Sequence, residues 1–413
     1  MKKTKKFLAL LLALLMAFSL VGCGGSGAGG AGGSSGDDVD YENMSMDELY
    51  ELAKAEGGQV EVYSTTTDSQ VACKKFAKMY PDIAIEYISC DNNTVASKIE
   101  MECDTGNINA DVVQIKDNSG EVYHELVLYD YLDIYYPAAA CAHIDEELLA
   151  YGLPLYATFN PWYYNTEMFP DGCPIDSWWD IVEGYDEATG KFTDQKWTIY
   201  TKDITGPSYA SLWAQMIADS DAIAAQYKAE YGKDVVYTYM DQLTNTPGVM
   251  ELPENNAAVE MFYRFSQMKM TELDDGDGVV DAVDQSINGP TLGLTSASKL
   301  DNAEQGMNIA WVTGLQPYTA FKACSYSYVV EGCDNPAAAR LYINFCMGGD
   351  DGQSGCYTAF DKVGSWSVRD DVSYTKAART AEEVILTSPD FEEIYNNYPN
   401  VKAYWTYWRS LAE

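Results

Sequence analysis

The sequence Gln59-Val60-Glu61-Val62-Tyr63 decides the fold of this chain. Its alternation of polar and apolar side chains indicates a β-strand with one buried face. The polar segment Ser64-Thr65-Thr66-Thr67-Asp68 follows, and the pattern SQVACKKFAKMY (69–80) then indicates a helix. A strand that leads through a polar loop into a helix is the start of a unit that builds a parallel sheet.

The same order of elements continues along the chain. Strands are predicted at 83–88 and 110–115, and a helix is predicted at 94–106 between them. Upstream, Ser45 and Glu48 have the spacing of a capping box and predict a helix over 45–56. This repetition predicts an α/β fold in which helices cover a parallel sheet.

A second α/β unit is predicted further along the chain. Its strands are predicted at 197–200, 291–295 and 308–312. Two extended apolar stretches, 153–165 and 315–330, connect this unit with the first. Two crossings between two sheets predict two lobes joined by a double-stranded hinge, with a cleft between them.

The crossings also give the domain boundaries. Lobe 1 is expected to comprise 45–157 together with 322–413, and lobe 2 to comprise 158–321. The tail from Ala377 to Glu413 is expected to be mainly helical. A chain of 413 residues, of which 47% are hydrophobic, is long enough for two cores.

The first residues resemble the export signal of a bacterial lipoprotein. Four lysines precede an apolar run from Phe7 to Val21, which is shorter than the roughly 20 residues of a membrane span. The run ends in Leu20-Val21-Gly22-Cys23, which resembles a lipobox. This resemblance implies a signal peptide over 1–22, lipidation of Cys23 and anchoring to the outside of the cell membrane. The alternative is an ordinary signal peptide with a chance cysteine.

The segment after Cys23 and the overall charge describe the exported protein. Residues 23–44 are expected to form a flexible tether, because the stretch from Gly24 to Gly36 is rich in Gly and Ser. Loss of the four lysines of the signal takes the formal net charge from −37 to −41. A chain this acidic repels nucleic acid and anionic lipid, so we expect contact with the membrane through the lipid anchor only. We expect a monomer.

Several short motifs, in order, resemble one family. They are Gly58–Ser64, Ala110–Val113, Trp162–Thr166, Ser177–Asp180 and Asn335–Ala339. Over about 57–372 the chain resembles the extracellular solute-binding proteins of bacterial ABC importers. The likeness is to the class that includes binders of ferric ion, sugar phosphates, phosphonates, thiamine and polyamines. It implies a two-lobed periplasmic-binding-protein-like (type II) fold, a small polar solute as ligand and an ABC permease as partner.

Candidate ligand-binding residues lie at the carboxyl ends of the lobe 1 strands, where open α/β sheets bind ligands. They are Ser64, Thr65, Thr66, Asp91, Asn92, Lys116 and Asp117. The three hydroxyl residues alternatively form an N-cap cluster that only stabilises the helix. The Asp-Asn pair is alternatively a turn. Lys116 is the best cation for an anionic ligand, and is otherwise a solvated residue.

The second lobe and the hinge supply the other candidates. They are Tyr164, Thr205, Ser208, Tyr209, Thr295, Ser296 and Thr313. Tyr164, together with Trp162 in the same hinge stretch, is expected to form the floor of the cleft. The remaining residues follow predicted strands or begin a predicted helix, so they are expected to face lobe 1.

The sequence contains no pattern that specifies catalysis. No H-E-x-x-H and no phosphate-loop motif occurs, and there are two histidines. We therefore expect no catalytic residues, no metal ligands and no cofactor. Two alternatives stay open. One is an extracellular carbohydrate-active hydrolase, because acids and aromatic residues are abundant, and the other is a surface sensor or adhesion module with the same fold.

Overall fold

The computed structural model describes residues 39–243, 252–373 and 384–412. The predicted signal peptide, Cys23 and the tether as far as residue 38 lie outside these residues. Among the helices of the described ranges, none has both the length and the apolar composition that crossing a membrane requires.

The described residues contain sixteen strands, β1 to β16. In chain order they span Gln59–Ser64, Ala84–Ser89, Val112–Lys116, Leu132–Asp133, Leu153–Thr158, Trp162–Asn165, Tyr185–Asp186, Lys191–Phe192, Thr198–Thr201, Met270–Glu272, Thr291–Leu294, Ile309–Trp311, Ala320–Phe321, Ala323–Val330, Ser365–Ser367 and Leu386–Thr387.

The same residues contain thirteen α-helices, α1 to α13. In chain order they span Met46–Glu56, Thr67–Met79, Asn92–Thr105, Ala138–Cys141, Trp178–Ile181, Pro207–Ala218, Ser220–Tyr231, Met240–Leu243, Ala257–Ser266, Gly276–Asp284, Asp301–Glu304, Pro336–Met347 and Phe391–Ala412.

The first sheet has seven strands in the order β15-β5-β14-β3-β1-β2, with β4 paired to β14. β1 lies parallel to both β2 and β3, which confirms the predicted parallel core of lobe 1. β14 runs antiparallel between β3 and β5 and is buried along its whole length. The carboxyl ends of β1, β2 and β3 therefore lie along one edge of this sheet.

The helices that flank the first sheet are fixed by capping interactions. Ser45 and Glu48 form the predicted capping box at the start of α1. The Glu56 carboxylate at the end of α1 accepts a 2.9 Å hydrogen bond from the backbone N–H of Ala337 in the first turn of α12. A negative charge at a helix N-terminus is favourable, so this contact holds α1 against α12.

The second sheet has five strands in the order β10-β9-β11-β6-β12. β9 is parallel to β10 and to β11, whereas β6 runs antiparallel to β11 and β12. The chain passes from the first sheet to the second between β5 and β6, and it returns between β12 and β14. The two predicted crossings are therefore present in the strand order.

The C-terminal helix α13 differs from its predicted assignment to lobe 1. It begins at Phe391, later than the predicted helical tail, and β16 pairs with β13 in the return crossing before it. Tyr395 stacks on His124 beside the first sheet, with ring centroids 4.2 Å apart. Trp405 stacks on Phe262 of α9, which belongs to the second lobe. The helix therefore contacts both lobes, because its aromatic residues have partners in each.

The start of the ordered body also differs from the predicted tether over 23–44. Tyr41–Asn43 forms a 3-10 helix, and the Arg340 guanidinium lies 4.3 Å from the centroid of the Tyr41 ring. This cation–π contact and the packing of Met44 on the core hold the segment. The described chain is therefore folded from Tyr41, not from residue 45.

Candidate functional site

The two sheets face each other at the carboxyl ends of their parallel strands. Asn118, just after β3, donates a hydrogen bond from Nδ2 to the Ser208 hydroxyl in the first turn of α6, at 3.0 Å. The polar residues on the two sides of this contact form what we call the interlobe site. They are Thr65, Thr66, Lys116, Asn118, Tyr156, Ser208, Tyr209, Thr295 and Ser325.

The loop after β1 is held by its own hydroxyl groups. Ser64 is fully buried, and its Oγ lies 2.8 Å from Ser69 Oγ and accepts from the N–H of Thr66. Thr66 is the N-cap of α2 and accepts from the N–H of Asp68. Ser64 and Thr66 thus stabilise the helix start, as the alternative interpretation proposed. Thr65 and Thr66 are still partly exposed at the interlobe site.

The segment after β2 has a capping role. The exposed Asp91 accepts 2.9 Å and 2.8 Å hydrogen bonds from the N–H and the hydroxyl of Thr94, at the start of α3. This is the behaviour of a turn residue that caps a helix. The side chain of Asn92 lies outside the described part of the structure.

Lys116 and Asp117 at the end of β3 are both buried enough to change their ionisation. Burial lowers the pKa of Lys116 to about 8 and raises the pKa of Asp117 to about 7. The two Asp117 oxygens accept from the backbone N–H groups of Gly120 and Tyr123, at 2.8 Å and 3.2 Å. Asp117 therefore holds the loop that positions Asn118, rather than offering a free carboxylate.

Asn118 was not among the predicted site residues. It is 3% exposed, and its Oδ1 is buried with no hydrogen-bond partner among the described residues. An unsatisfied buried carbonyl costs free energy, so a donor on a bound molecule is favourable at this position. The sequence analysis selected Lys116 and Asp117 because they follow the carboxyl end of the third strand. The same rule includes Asn118 if it is extended by one residue.

Tyr156 was also missed, because it lies inside the continuous apolar strand β5. Its hydroxyl interacts with the side chains of Thr66 and Ser325, and burial raises its pKa to about 12. Ser325 on β14 is the register partner of Lys116. These contacts connect the β1 loop, the β3 end and the hinge strands into one polar patch on lobe 1.

Lobe 2 brings Tyr209 and Thr295 together behind Ser208. The Tyr209 hydroxyl interacts with the Thr295 side chain and lies 3.5 Å from the carbonyl of Leu294, and burial raises its pKa to about 12. The Thr205 hydroxyl instead donates to the carboxylate of Asp203, at 2.7 Å. Thr205 therefore stabilises the turn before α6.

Ser296 and Thr313 are partly exposed at the ends of β11 and β12. The Ser296 hydroxyl lies 3.1 Å from that of Ser298. The Thr313 carbonyl accepts a 3.0 Å hydrogen bond from Thr319 in the return crossing. Both residues lie where the lobes join, and the Thr313 carbonyl also accepts a 3.3 Å hydrogen bond from the backbone N–H of Ile385, just before β16.

Tyr164, which we predicted to form the floor of the cleft, has its described ring contact on the other side of the second sheet's strand ends. Tyr164 packs against Phe169, and Phe169 packs against Trp197 immediately before β9. This position is at the amino end of the lobe 2 parallel strands, because β6 runs antiparallel to β11. In the first crossing, between β5 and β6, Phe159 packs against Trp311, with ring centroids 5.0 Å apart.

A second close approach joins the lobes near the hinge. Gly364, just before β15, has φ of +71°, and a Cβ at this position would be 2.5 Å from the Cβ of Ala297 after β11. With the Asn118–Ser208 hydrogen bond, this contact shows that the two lobes touch in this structure.

Comparison with known proteins agrees with this architecture. The profile of the family described as "Bacterial extracellular solute-binding protein" matches residues 71–385, more than half of the chain. No curated protein matches the sequence significantly.

Solved structures with the same fold have low sequence identity. Iron-bound HitA from Pseudomonas aeruginosa has a TM-score of 0.58 and 11% identity, over 84% of this chain and 99% of HitA. AfuA from Actinobacillus pleuropneumoniae, with fructose-6-phosphate bound, has a TM-score of 0.54 and 15% identity, over 86% and 99%. The substrate-binding protein of an ABC transporter from Agrobacterium tumefaciens has a TM-score of 0.55 and 16% identity, over 85% and 94%. These likenesses establish the two-lobed periplasmic-binding-protein fold of type II.

Proposed function

The chain belongs to the family of bacterial extracellular solute-binding proteins, and on that premise we propose that it is the lipid-anchored substrate-binding component of an ABC importer. It captures a small polar solute between its lobes and delivers it to a membrane permease. The observation that carries this proposal is the hydrogen bond between Asn118 and Ser208. It joins the polar loop after a strand of the first sheet to the first turn of a helix in lobe 2.

The physical basis of capture is the division of one polar site between two lobes. A solute that contacts both halves favours the closed arrangement by its differential affinity for that state. Closure changes the surface that the protein presents to a permease, so the loaded state is distinguishable from the empty one. This function requires no covalent step.

The chemistry of the interlobe site favours a polar solute that carries negative charge. Hydroxyl and amide groups predominate, and Lys116 supplies a cation on lobe 1. Its pKa of about 8 leaves the ammonium largely charged at neutral pH, where it attracts an anion in a desolvated setting. A neutral donor group on the same solute would meet the unsatisfied Asn118 carbonyl.

A thermal-shift screen tests the proposal. The panel comprises sugar phosphates, phosphonates, polyamines, thiamine, sugars and ferric complexes, since a ligand that binds only the folded state raises the melting temperature. We expect at least one anionic compound to give a concentration-dependent rise. Its mixture with the protein is then assayed for breakdown products. No stabilising compound, or product formation from a stabilising one, would contradict a binding-only function, and product formation would favour the hydrolase alternative.

Substitution of Lys116 tests the assignment of the anion contact. Lys116→Ala is expected to weaken binding of the anionic compound by at least tenfold, because it removes the nearby positive charge. Lys269→Ala is the matched control, since Lys269 is exposed and lies just before β10, on lobe 2. Isothermal titration calorimetry measures both affinities. Equal affinities for the wild type and Lys116→Ala would remove Lys116 from the site.

The lipid anchor is a separate part of the proposal. The lipobox-like sequence before Cys23 and the Gly- and Ser-rich segment after it support acylation of that cysteine. Cys23→Ser is expected to be exported but to fractionate with the soluble proteins, whereas Cys90→Ser stays in the membrane fraction. Retention of Cys23→Ser in the membrane fraction would contradict the anchor. We expect a monomer, which light scattering of the purified chain measures.

A further inference from the structure

Two distant segments cross on the outer edge of lobe 1. Ile144 and Arg369 form an antiparallel bridge, and the N–H of Asp370 donates to the carbonyl of His143 at 3.1 Å. Arg369 of this bridge follows β15 in the chain. The first residue of β15 pairs with the last residue of β5, next to the hinge, so the chain runs away from the hinge along β15. The bridge is therefore separate from the interlobe site.

The crossing places a histidine ring between two carboxylates. His143 Nδ1 lies 2.8 Å from Asp370 Oδ1, which is a hydrogen bond. His143 Nε2 lies 3.6 Å from Asp371 Oδ2, too far for a good hydrogen bond. Two ligands that lie about 2.1 Å from one tetrahedral metal ion are roughly 3.4 Å apart, which is close to this second separation.

The surrounding residues hold these groups in place. The buried Arg369 guanidinium donates from Nε and from its second terminal nitrogen to the two oxygens of Asp371, at 2.8 Å and 2.7 Å. The same guanidinium is fixed by a 2.6 Å hydrogen bond to the carbonyl of Gly349. On the other side, Asp370 orients the imidazole ring. A carboxylate that accepts the second ring N–H of a histidine is the usual outer partner of a metal-binding imidazole.

We propose that His143 Nε2 and Asp371 Oδ2 bind a divalent first-row transition-metal ion of the Zn²⁺ type, with Asp370 as the carboxylate that orients the imidazole. The imidazole nitrogen selects such ions over Mg²⁺ and Ca²⁺. The side chain of His143 is 43% exposed, so water completes the coordination. The formal net charge of −37 draws cations to the surface. Sequence patterns missed the site, because its residues lie 227 positions apart.

Titration with Co²⁺ tests the site in the purified, metal-stripped full chain. We expect one equivalent to bind, with visible absorption and without the intense near-ultraviolet band of a thiolate ligand. His143→Ala is expected to abolish this binding. Asp370→Asn keeps the imidazole and is expected to weaken binding by about tenfold or more. His124→Ala is the matched control, because it removes the other histidine of the chain and is expected to leave binding unchanged.

Several results would overturn this assignment. They are the absence of Co²⁺ binding to the wild type, retention of binding in His143→Ala, loss of binding in His124→Ala, and a thiolate absorption band. Circular dichroism of each variant verifies that its fold is intact. Lys116→Ala, which changes the interlobe site, should bind Co²⁺ as the wild type does, so failure of the metal site and failure of the solute site are distinguishable.

Discussion

At the residue scale, the neighbouring Lys116 and Asp117 show what burial does to charge at the end of a strand. Desolvation moves the two pKa values towards neutrality, to about 8 for the lysine and about 7 for the aspartate. The carboxyl group is needed there, because it accepts from two backbone N–H groups of the loop that carries Asn118.

The raised pKa of Asp117 predicts a dependence of stability on pH. In the unfolded chain this carboxyl ionises near its usual value of 3.8, whereas in the folded chain it ionises near pH 7. The folded state therefore binds more protons between about pH 4 and pH 7, and the stabilising contribution falls as the pH rises through that window. Asp117→Asn removes the contribution.

Urea unfolding at pH 5 and at pH 7 measures this effect. We compare the free energy of unfolding of the wild type with that of Asp117→Asn. This difference is expected to fall by about 2 kcal/mol from pH 5 to pH 7, because the stability contribution of one group changes by at most about 1.4 kcal/mol per pH unit. Taking the difference between the two proteins removes the contributions of the other carboxylates. A difference that is the same at both pH values would contradict the assigned pKa.

Gly364 gives a second prediction at this scale. Gly364→Ala would require a non-glycine residue at φ of +71° and would place its Cβ 2.5 Å from the Cβ of Ala297. We expect a loss of more than about 1 kcal/mol in the free energy of unfolding, because the left-handed region alone costs roughly that much. Gly314→Ala is the control, since its Cβ would meet no atom within 4 Å, and it should change stability by less than about 0.5 kcal/mol. Equal effects in urea unfolding would contradict the close approach.

The candidate site could be predicted from the sequence only where local rules apply. Ser208 and Tyr209 were found because they begin a helix after a strand, and the structure brings Ser208 to the other lobe. Tyr156 was missed because a tyrosine within an apolar strand looks like a core residue, and the partners of its hydroxyl come from distant segments. The ring contact of Tyr164 could not be predicted, because the direction of β6 relative to β11 is decided by long-range pairing.

At the element scale, the local signals of lobe 1 were reliable. The capping box of α1 and the first three strands lie within one or two residues of their predicted positions. The C-terminal helix was predicted less well, because no local signal says which lobe covers it. Pro399 lies inside this helix and cannot donate to the carbonyl of Tyr395, so the helix has a weak point between its contacts with the two lobes.

The second half of α13 is expected to contribute strongly to the core of lobe 2. Trp408 is fully buried, and its ring packs against Phe262 and Tyr263 of α9. Trp408→Ala is expected to destabilise the protein by about 3–5 kcal/mol, because it leaves a large cavity among these rings. Thr406→Ala, at an exposed position of the same helix, is the control and should have little effect. Urea unfolding compares the two variants, and similar values would show that the helix does not form part of that core.

At the scale of the whole molecule, the described residues connect the lobes through the two strand crossings and through α13. The sequence predicted the two strand crossings, because extended apolar stretches are visible in it. It did not predict that α13 would contact both lobes, since that depends on aromatic pairs such as Tyr395 with His124 and Trp405 with Phe262. Opening of the lobes must therefore rearrange a helix as well as a hinge.

The balance between open and closed arrangements depends on contacts that do not involve a solute. The Asn118–Ser208 hydrogen bond is such a contact, and a hydrogen bond of this kind is worth about 1 kcal/mol, or roughly a fivefold change in the closed population. Asn118→Ala is therefore expected to increase the radius of gyration of the solute-free protein in small-angle X-ray scattering. Asn107→Ala, at an exposed position on lobe 1, should not. Since apparent affinity scales with the population of the binding-competent state, the same variant should also bind solute more weakly. Scattering identical to that of the wild type would show that the hinge and α13 hold the lobes together without this bond.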